Sequence, residues 1–324
     1  MVKALQIKKT GGPAVMKWQD IDLPAPERGE VRIKHTYVGL NYIDCYFRSG
    51  LYPLDGFPAT IGMEGAGVVE AIGPGVRKFE EGNRVAYAPT LGAYAQKRNI
   101  PADKIVKVPG QVSDKEAAAV MLKGTTTEYL IRRTYRVKRG ATVLFHAAAG
   151  GVGLIACQWL KHLGATVIGT VGSDAKARLV KRHGCDHPIN YNEEDFKEAV
   201  MDITNGEGVP VVYDSVGKST FSASLDCLRP RGIMVLFGQS SGPVPTFNLT
   251  ELGAKGSLYV TRPSLMAYNA SRREYEASAK ALFDVVGSGA VKIKVNQTYR
   301  LKDAVRAHKD LEGRKTTGST VFRV

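Results

Sequence analysis

A run of small residues, His146-Ala147-Ala148-Ala149-Gly150-Gly151-Val152-Gly153, carries the clearest chemical signal in the chain. It follows a short apolar β-type run, Thr142-Val143-Leu144-Phe145. It precedes a segment in which Val152, Ile155, Ala156, Trp159, Leu160 and Leu163 fall on one helical face, with Gly164 as a C-terminal stop. Strand, glycine turn and helix in that order make an anion site. A small residue allows the tight turn, a glycine lets the backbone approach a pyrophosphate, and a last glycine lets helix and strand pack closely. The free N–H groups at the helix start then hold the charge. The spacing is Ala147-x-x-Gly150-x-x-Gly153, with Ala where the usual pattern has its first Gly and with Gly151 added. The implied ligand is a dinucleotide, held by Ala149, Gly150, Gly151, Val152 and Gly153.

The next strand, over 166–171, runs into Gly172-Ser173. A site for NAD usually has an acid at this tip to grip the ribose 2′-hydroxyl. None stands here, and Asp174 reads as the first residue of the following helix, where a carboxylate suits the dipole. Lys176, Arg178 and Tyr191 are available for a 2′-phosphate. The expected cofactor is therefore NADPH rather than NADH.

Two other groupings could suggest chemistry. His183-Gly184-Cys185-Asp186-His187 has the look of a metal patch, but Gly184 ends a helix and His187 enters a strand, so it reads as a surface turn. His146 reads as a satisfied core histidine with no acid–base role. The four cysteines, Cys45, Cys157, Cys185 and Cys227, are far apart and form no CxxC pair. They imply free thiols in a reducing, cytoplasmic compartment, and exclude a disulfide framework or a Cys-rich zinc site.

The elements that would position these residues fall into two kinds. Residues 1 to about 110 show strand-type runs with Pro and Gly every eight to twelve residues, the mark of a β-rich lobe. Within it, Gly39 to Gly62 has no clear period and reads as a long functional loop carrying Asn41, Tyr42, Asp44, Tyr46, Arg48 and Tyr52. Ser113-Asp114-Lys115-Glu116 is a capping box that opens a helix, and a second helix is predicted over 125–135. From 141 to about 261, strands at 142–146, 166–171, 187–190, 209–213, 233–237 and 257–261 alternate with helices near 152–163, 174–183, 193–204 and 219–228. That alternation predicts a doubly wound parallel sheet. A helix near 272–287 follows, then a strand pair and helical turns over 305–311.

The chain has 324 residues, enough for two domains; 44% are hydrophobic and 23% charged. Mean hydropathy is −0.16. No apolar run of about 18 residues exists, so no membrane span is expected, and the N-terminus lacks a signal-peptide core. The formal net charge is +14. Lys and Arg are scattered rather than blocked, which favours solvated faces and a polyphosphate ligand over a nucleic-acid surface.

Taken together, the β-rich start, Gly62-Met63-Glu64-Gly65-Ala66-Gly67-Val68-Val69, Ala71-Ile72-Gly73-Pro74-Gly75-Val76, the glycine turn, Tyr213-Asp214-Ser215-Val216-Gly217 and Gly256-Ser257-Leu258-Tyr259-Val260-Thr261-Arg262-Pro263 resemble the medium-chain dehydrogenase/reductase superfamily. More narrowly, the chain resembles the zinc-free NADPH:quinone oxidoreductases, the ζ-crystallin-like group, over essentially its whole length. The resemblance implies an α/β fold: a GroES-like β-rich catalytic domain (1–124), a Rossmann domain (125–263) and a return of the tail to the first domain (264–324). It implies that Lys176 and Tyr191, with Gly172 and Ser173 nearby, bind the 2′-phosphate. Asn41, Tyr46, Tyr52 and Thr127 would lie near the nicotinamide and pyrophosphate, with Ser215, Gly238, Ser240 and Ser241 as further cofactor contacts. Zinc members have a His beside the glutamate where this chain has Met63, and four close cysteines where it has Pro89 to Tyr94, so no metal is expected.

The implied activity is electron or hydride transfer from NADPH to a quinone, with Tyr46, Tyr52 and Arg262 positioning the substrate and donors near its oxygen lowering the barrier. Two alternatives stay open: reduction of an activated alkene (a 2-enal or enone), and an NADPH-binding structural or RNA-associated protein. A homodimer is implied, paired through Leu258-Tyr259-Val260.

Overall fold

A computed structural model describes residues 1–324. Its contacts divide the chain into two units: residues 1–125 with 271–287 and 293–324, and residues 126–270 with 288–292.

The second unit is built on a six-stranded, wholly parallel sheet. Its spatial order is His187–Asn190, Thr166–Val171, Thr142–Phe145, Val209–Asp214, Leu228–Leu236 and Tyr259–Thr261. Chain order runs outward one way from Thr142–Phe145 and then outward the other way. That strand therefore borders the switch point where α/β sheets bind ligands at their carboxyl ends. Helices Gly151–His162, Asp174–Lys181, Phe196–Ile203 and Phe221–Asp226 make the crossovers. The strands are buried β-branched runs, with Val143, Val167, Ile168, Val211 and Val212 fully covered. The strand predicted from 233 begins at Leu228. Arg231, at a φ of +62°, and the register shift between Val209 and Val211 carry the Pro230 turn signal inside the strand as an irregularity.

The first unit holds a three-stranded sheet and a seven-stranded one. In the latter, Glu30–Leu40 pairs with Gly65–Ile72, with Lys97–Pro101 and with the C-terminal strand Ser319–Arg323. The tail thus completes the first sheet, as expected of a GroES-like lobe with an inserted second domain. Leu5, Ile7, Ile33, Ile61, Tyr94, Ile100 and Phe322 form its core.

Two expectations fail here. The segment 39–62 is not a plain loop: Tyr42–Ser49 is a helix. Asn41 and Asp44 form the capping box at its start, and Gly50, at a φ of +87°, stops it. The helix buries Asp44, Cys45, Tyr46, Phe47 and Arg48, so a polar-looking sequence hides its period by burying charges. The break predicted before 125 is also absent. Asp114–Tyr129 is one helix running into a π-turn over Leu130–Thr134. Gly124 sits inside it because a Cβ there would overlap the Leu282 side chain.

Candidate active site

The glycine turn has the geometry of an anion cradle. Ala147, in the place of the usual first glycine, keeps the glycine conformation at a φ of +53°. This left-handed geometry costs an L-residue roughly 1–2 kcal/mol. Ala148 N–H bonds Thr170 O at 3.1 Å and Gly150 N–H bonds Ala147 O at 2.9 Å, which fixes the loop. Gly150 is the N-cap of helix Gly151–His162, with no capping side chain and no acid in the first turn. The first helical N–H groups are therefore left for a ligand. Two glycines have different duties. A Cβ on Gly150 would come no nearer than 3.1 Å to Ala147 O. One on Gly153 would overlap Ala148 O and lie 2.6 Å from Ala147 O. Gly153 is thus required by the fold, whereas at Gly150 a side chain would crowd a single backbone oxygen.

The parallel register brings the remaining residues of this set to the same carboxyl edge. Val171 pairs with Asn190, so Gly172-Ser173 and Tyr191 follow adjacent strand ends. A Cβ on Gly172 would stand 2.5 Å from the Tyr191 hydroxyl. Ser173 caps helix Asp174–Lys181 by accepting from Lys176 N–H at 3.3 Å, which plants Lys176 in its first turn. Asp174 accepts from Asn190 Nδ2 at 2.9 Å and so is turned to the neighbouring strand. Beyond the next two strands, Ser240 N–H bonds Ser215 O at 3.0 Å and Ser241 N–H bonds Val216 O at 2.9 Å. Gly238 is held so close that a Cβ would lie 2.7 Å from Ser215 O. Arg262 follows the last strand and donates to Leu236 O at 2.9 Å. Thr127 is fully buried in helix Asp114–Tyr129, apart from these loops in sequence.

In the first unit, Tyr46 and Tyr52 lie side by side, and Asn41 caps the helix that carries Tyr46. The rings of Tyr46 and Tyr52 are 5.2 Å apart, the Tyr42 ring lies tilted against Tyr46 at 5.7 Å, and Tyr52 N–H bonds Tyr46 O at 3.1 Å. Around them lies a buried polar network that motif reading passed over. Glu64, fully buried, accepts from Asn41 Nδ2 at 2.8 Å and Leu122 N–H at 2.8 Å, and pairs with Lys123 at 3.2 Å. Asp44, fully buried, accepts from Asn41 N–H at 2.9 Å and from the Tyr94 hydroxyl at 3.0 Å through Oδ2. His308 joins Tyr94 to Arg48, and Arg48 forks onto Glu312 at 2.6 and 3.1 Å.

Desolvation pushes Asp44 up to about 7 and His308 down to about 3. His308 is therefore neutral and accepts from Arg48 at Nδ1. Asp44 Oδ1 is buried with no partner and is the oxygen left to carry a proton. The N-x-x-D pair at 41 and 44 was the one sequence signal for this arrangement.

His146 is buried, with Thr170 Oγ1 and Ser224 Oγ each 2.9 Å from its ring nitrogens, and burial lowers its pKa. His183 Nδ1–H donates locally to Leu179 O at 2.8 Å. All four cysteines are free and buried. Met63 and Glu64 point into the core, and burial drives the Cys45 thiol up, away from the thiolate a metal needs. No group of three His, Cys, Asp or Glu side chains is placed to hold a metal ion. No helix is long and apolar enough to cross a membrane.

Two family models match the chain: the alcohol dehydrogenase GroES-like domain over residues 27–137 and the zinc-binding dehydrogenase family over 151–291. A quinone oxidoreductase of Pseudomonas aeruginosa is 50% identical, with 99% of each chain covered. A 2-haloacrylate reductase of a Burkholderia species is 47% identical, again with 99% of each covered. The crystal structure of the Escherichia coli quinone oxidoreductase complexed with NADPH superposes with a TM-score of 0.98 at 48% identity, covering 99% of this chain and all of that one.

Proposed function

Because this chain belongs to the medium-chain dehydrogenase/reductase superfamily and within it to the NADPH:quinone oxidoreductase family, we propose that it reduces a quinone at the expense of NADPH without a metal. One observation carries the cofactor part. The carboxyl edge of the parallel sheet gathers an uncapped helix start, a glycine with a single close neighbour, and an acid-free strand tip with Lys176 and Tyr191 beside it. A pyrophosphate fits at the first feature and a 2′-phosphate at the last.

When bound, NADPH supplies a hydride from C4 of its nicotinamide. The chain supplies the rest. Gly151 to Gly153 hold the pyrophosphate by backbone N–H groups, and Ala149 and Gly150 let it approach. Gly172, Ser173, Lys176 and Tyr191 select the 2′-phosphate. Ser215, Gly238, Ser240 and Ser241 would be further cofactor contacts, with Thr127 and Asn41 adding polar ones. Tyr46, Tyr52 and Arg262 position the quinone and offer donors to the oxygen on which charge develops. The Glu64 carboxylate is already engaged by Asn41, Leu122 and Lys123, which supports a metal-free reading.

We also read the protein as cytoplasmic and homodimeric. Four free buried thiols suit a reducing compartment. Tyr259–Thr261 is the edge strand of its sheet with Tyr259 60% exposed, open to a second copy.

The kinship to a 2-haloacrylate reductase keeps activated-alkene reduction as the second reading. Assaying NADPH oxidation against a simple quinone, a 2-enal and 2-chloroacrylate, with and without a chelator, separates them. Faster turnover of the quinone, unchanged by chelation, supports the proposal. Preference for either alkene moves the function, and loss on chelation that zinc restores overturns the metal-free reading.

A further inference from the structure

A groove of about 450 Å³ opens in the first unit, lined by no residue to which the proposed reaction assigns a part. It lies between the loop that carries Lys78 and Phe79, the short strand Val106–Lys107 and the helix Arg272–Gly287. Its volume is that of a small-molecule site. Its bottom is apolar: Phe79, Val106, Ala279 and Phe283 line it, and each is no more than 7% exposed. Its frame is braced without a ligand. Arg272, in the first turn of the helix, donates to Asp103 O at 2.6 Å and to Ile105 O at 2.5 Å, and so ties the helix to the chain that leads into Val106.

The rim decides what such a groove can take. It carries four cations, Lys78, Lys107, Arg272 and Lys280, against two carboxylates, Glu276 and Asp284. The helix neutralises itself. Arg272 pairs with Glu276 at 2.7 Å and Lys280 with Asp284 at 2.7 Å, both one turn apart. The surplus charge therefore belongs to the two lysines that come from outside the helix. Lys78 reaches Glu276 only at 3.5 Å, with both side chains exposed, a contact that holds weakly. Lys107 is exposed and takes part in none of the ion pairs of the groove. An apolar bottom under two spare ammonium groups is the complement of an amphiphile with one anionic end. A second copy of the chain is a poor occupant, since it brings a net charge of +14 to a positive rim.

We propose that this groove is a binding site for a medium-chain fatty carboxylate, with its chain on Phe79, Val106 and Phe283 and its head group on Lys107 and Lys78. The inference is independent of the NADPH reading above, because every residue it uses belongs to the first unit and none to the cofactor set.

The test is binding, measured by titration calorimetry with octanoate, with 1-octanol, which keeps the chain and loses the charge, and with acetate, which keeps the charge and loses the chain. The wild-type protein is expected to bind octanoate about tenfold or more tighter than either, the worth of one charge-assisted hydrogen bond on one side and of several buried methylenes on the other. Lys78→Glu/Lys107→Glu should remove the preference over octanol; both lysines are exposed, so the fold should survive. Lys78→Gln/Lys107→Gln tests the same ratio without adding acids. Lys8→Glu, an exposed lysine outside the groove, should leave the ratio unchanged. A wild-type protein that binds no octanoate, or binds all three ligands alike, would overturn the proposal. So would an equal loss of preference in Lys8→Glu, which would assign the effect to the overall charge of the protein, and so would octanoate binding that the groove variants leave untouched, which would place the ligand elsewhere.

Discussion

The two units meet the same demand, holding polar groups in place, by opposite means. In the second unit the cradle is made of backbone. Gly150, Gly153, Gly172 and Gly238 leave out side chains, and the N–H groups of one helix start have no capping side chain. In the first unit the work falls to side chains. Glu64, Asp44, Tyr94, His308 and Arg48 are each no more than 2% exposed, and they are joined by hydrogen bonds. A backbone cradle depends on the absence of atoms, and a single added methyl can destroy it. A side-chain network depends on partners, and removing one strands the others.

The sharpest way to break this contrast is to add atoms to the two glycines of one turn. Gly153→Val should destabilise the second unit by about 3 kcal/mol or more, because the overlap is with backbone oxygens that cannot move aside. Gly150→Val should abolish NADPH binding yet melt within a few degrees of wild type. Thermal melts with and without NADPH separate the two, and equal melting losses would refute the division of duties.

In the network, Asp44 gives a pH signature. Its pKa is about 7 in the folded state, above the 3.8 it has when free, so the folded protein holds the extra proton between those values. This stabilising contribution is complete below about pH 4 and is lost as pH rises to about 7, at up to about 1.4 kcal/mol per pH unit. Asp44→Asn should flatten that stretch of the stability curve in urea titrations. An unchanged slope would mean that Asp44 is ionised in the fold.

Arg48→Met should cost about 3 kcal/mol by stranding Glu312 and His308, while the affinity for NADPH stays within a few-fold. A large loss of affinity with little loss of stability would make Arg48 part of the site. The smallest expected effect is the most specific. Lys176→Ala should weaken NADPH by about ten- to a hundredfold and NADH hardly at all. Equal weakening would remove Lys176 from the 2′-phosphate site.

The same contrast explains what could be read in the sequence. The second unit was legible almost element by element. Its strands are continuous apolar runs, its breaks are glycines, and a backbone site leaves its spacing in the chain. Ala147 shows the limit of that signal, since the residue changed while the left-handed turn stayed. The first unit was legible as a β-rich lobe with a returning tail, but its helix Tyr42–Ser49 was not. That helix buries Asp44 and Arg48, which sequence patterning assigns to the surface, and their partners come from a loop (Tyr94) and from helix Ala304–Glu312 (His308 and Glu312), up to 264 residues away. Glu64 was visible only as part of a motif, because its three donors are fixed by tertiary structure.

The central claim is tested most directly by following absorbance at 340 nm with NADPH, and separately NADH, against a simple quinone. The account predicts rapid oxidation of NADPH, strongly preferred over NADH and indifferent to chelation. Binding of NADPH without turnover of any quinone or activated alkene would contradict it and leave a binding protein in its place.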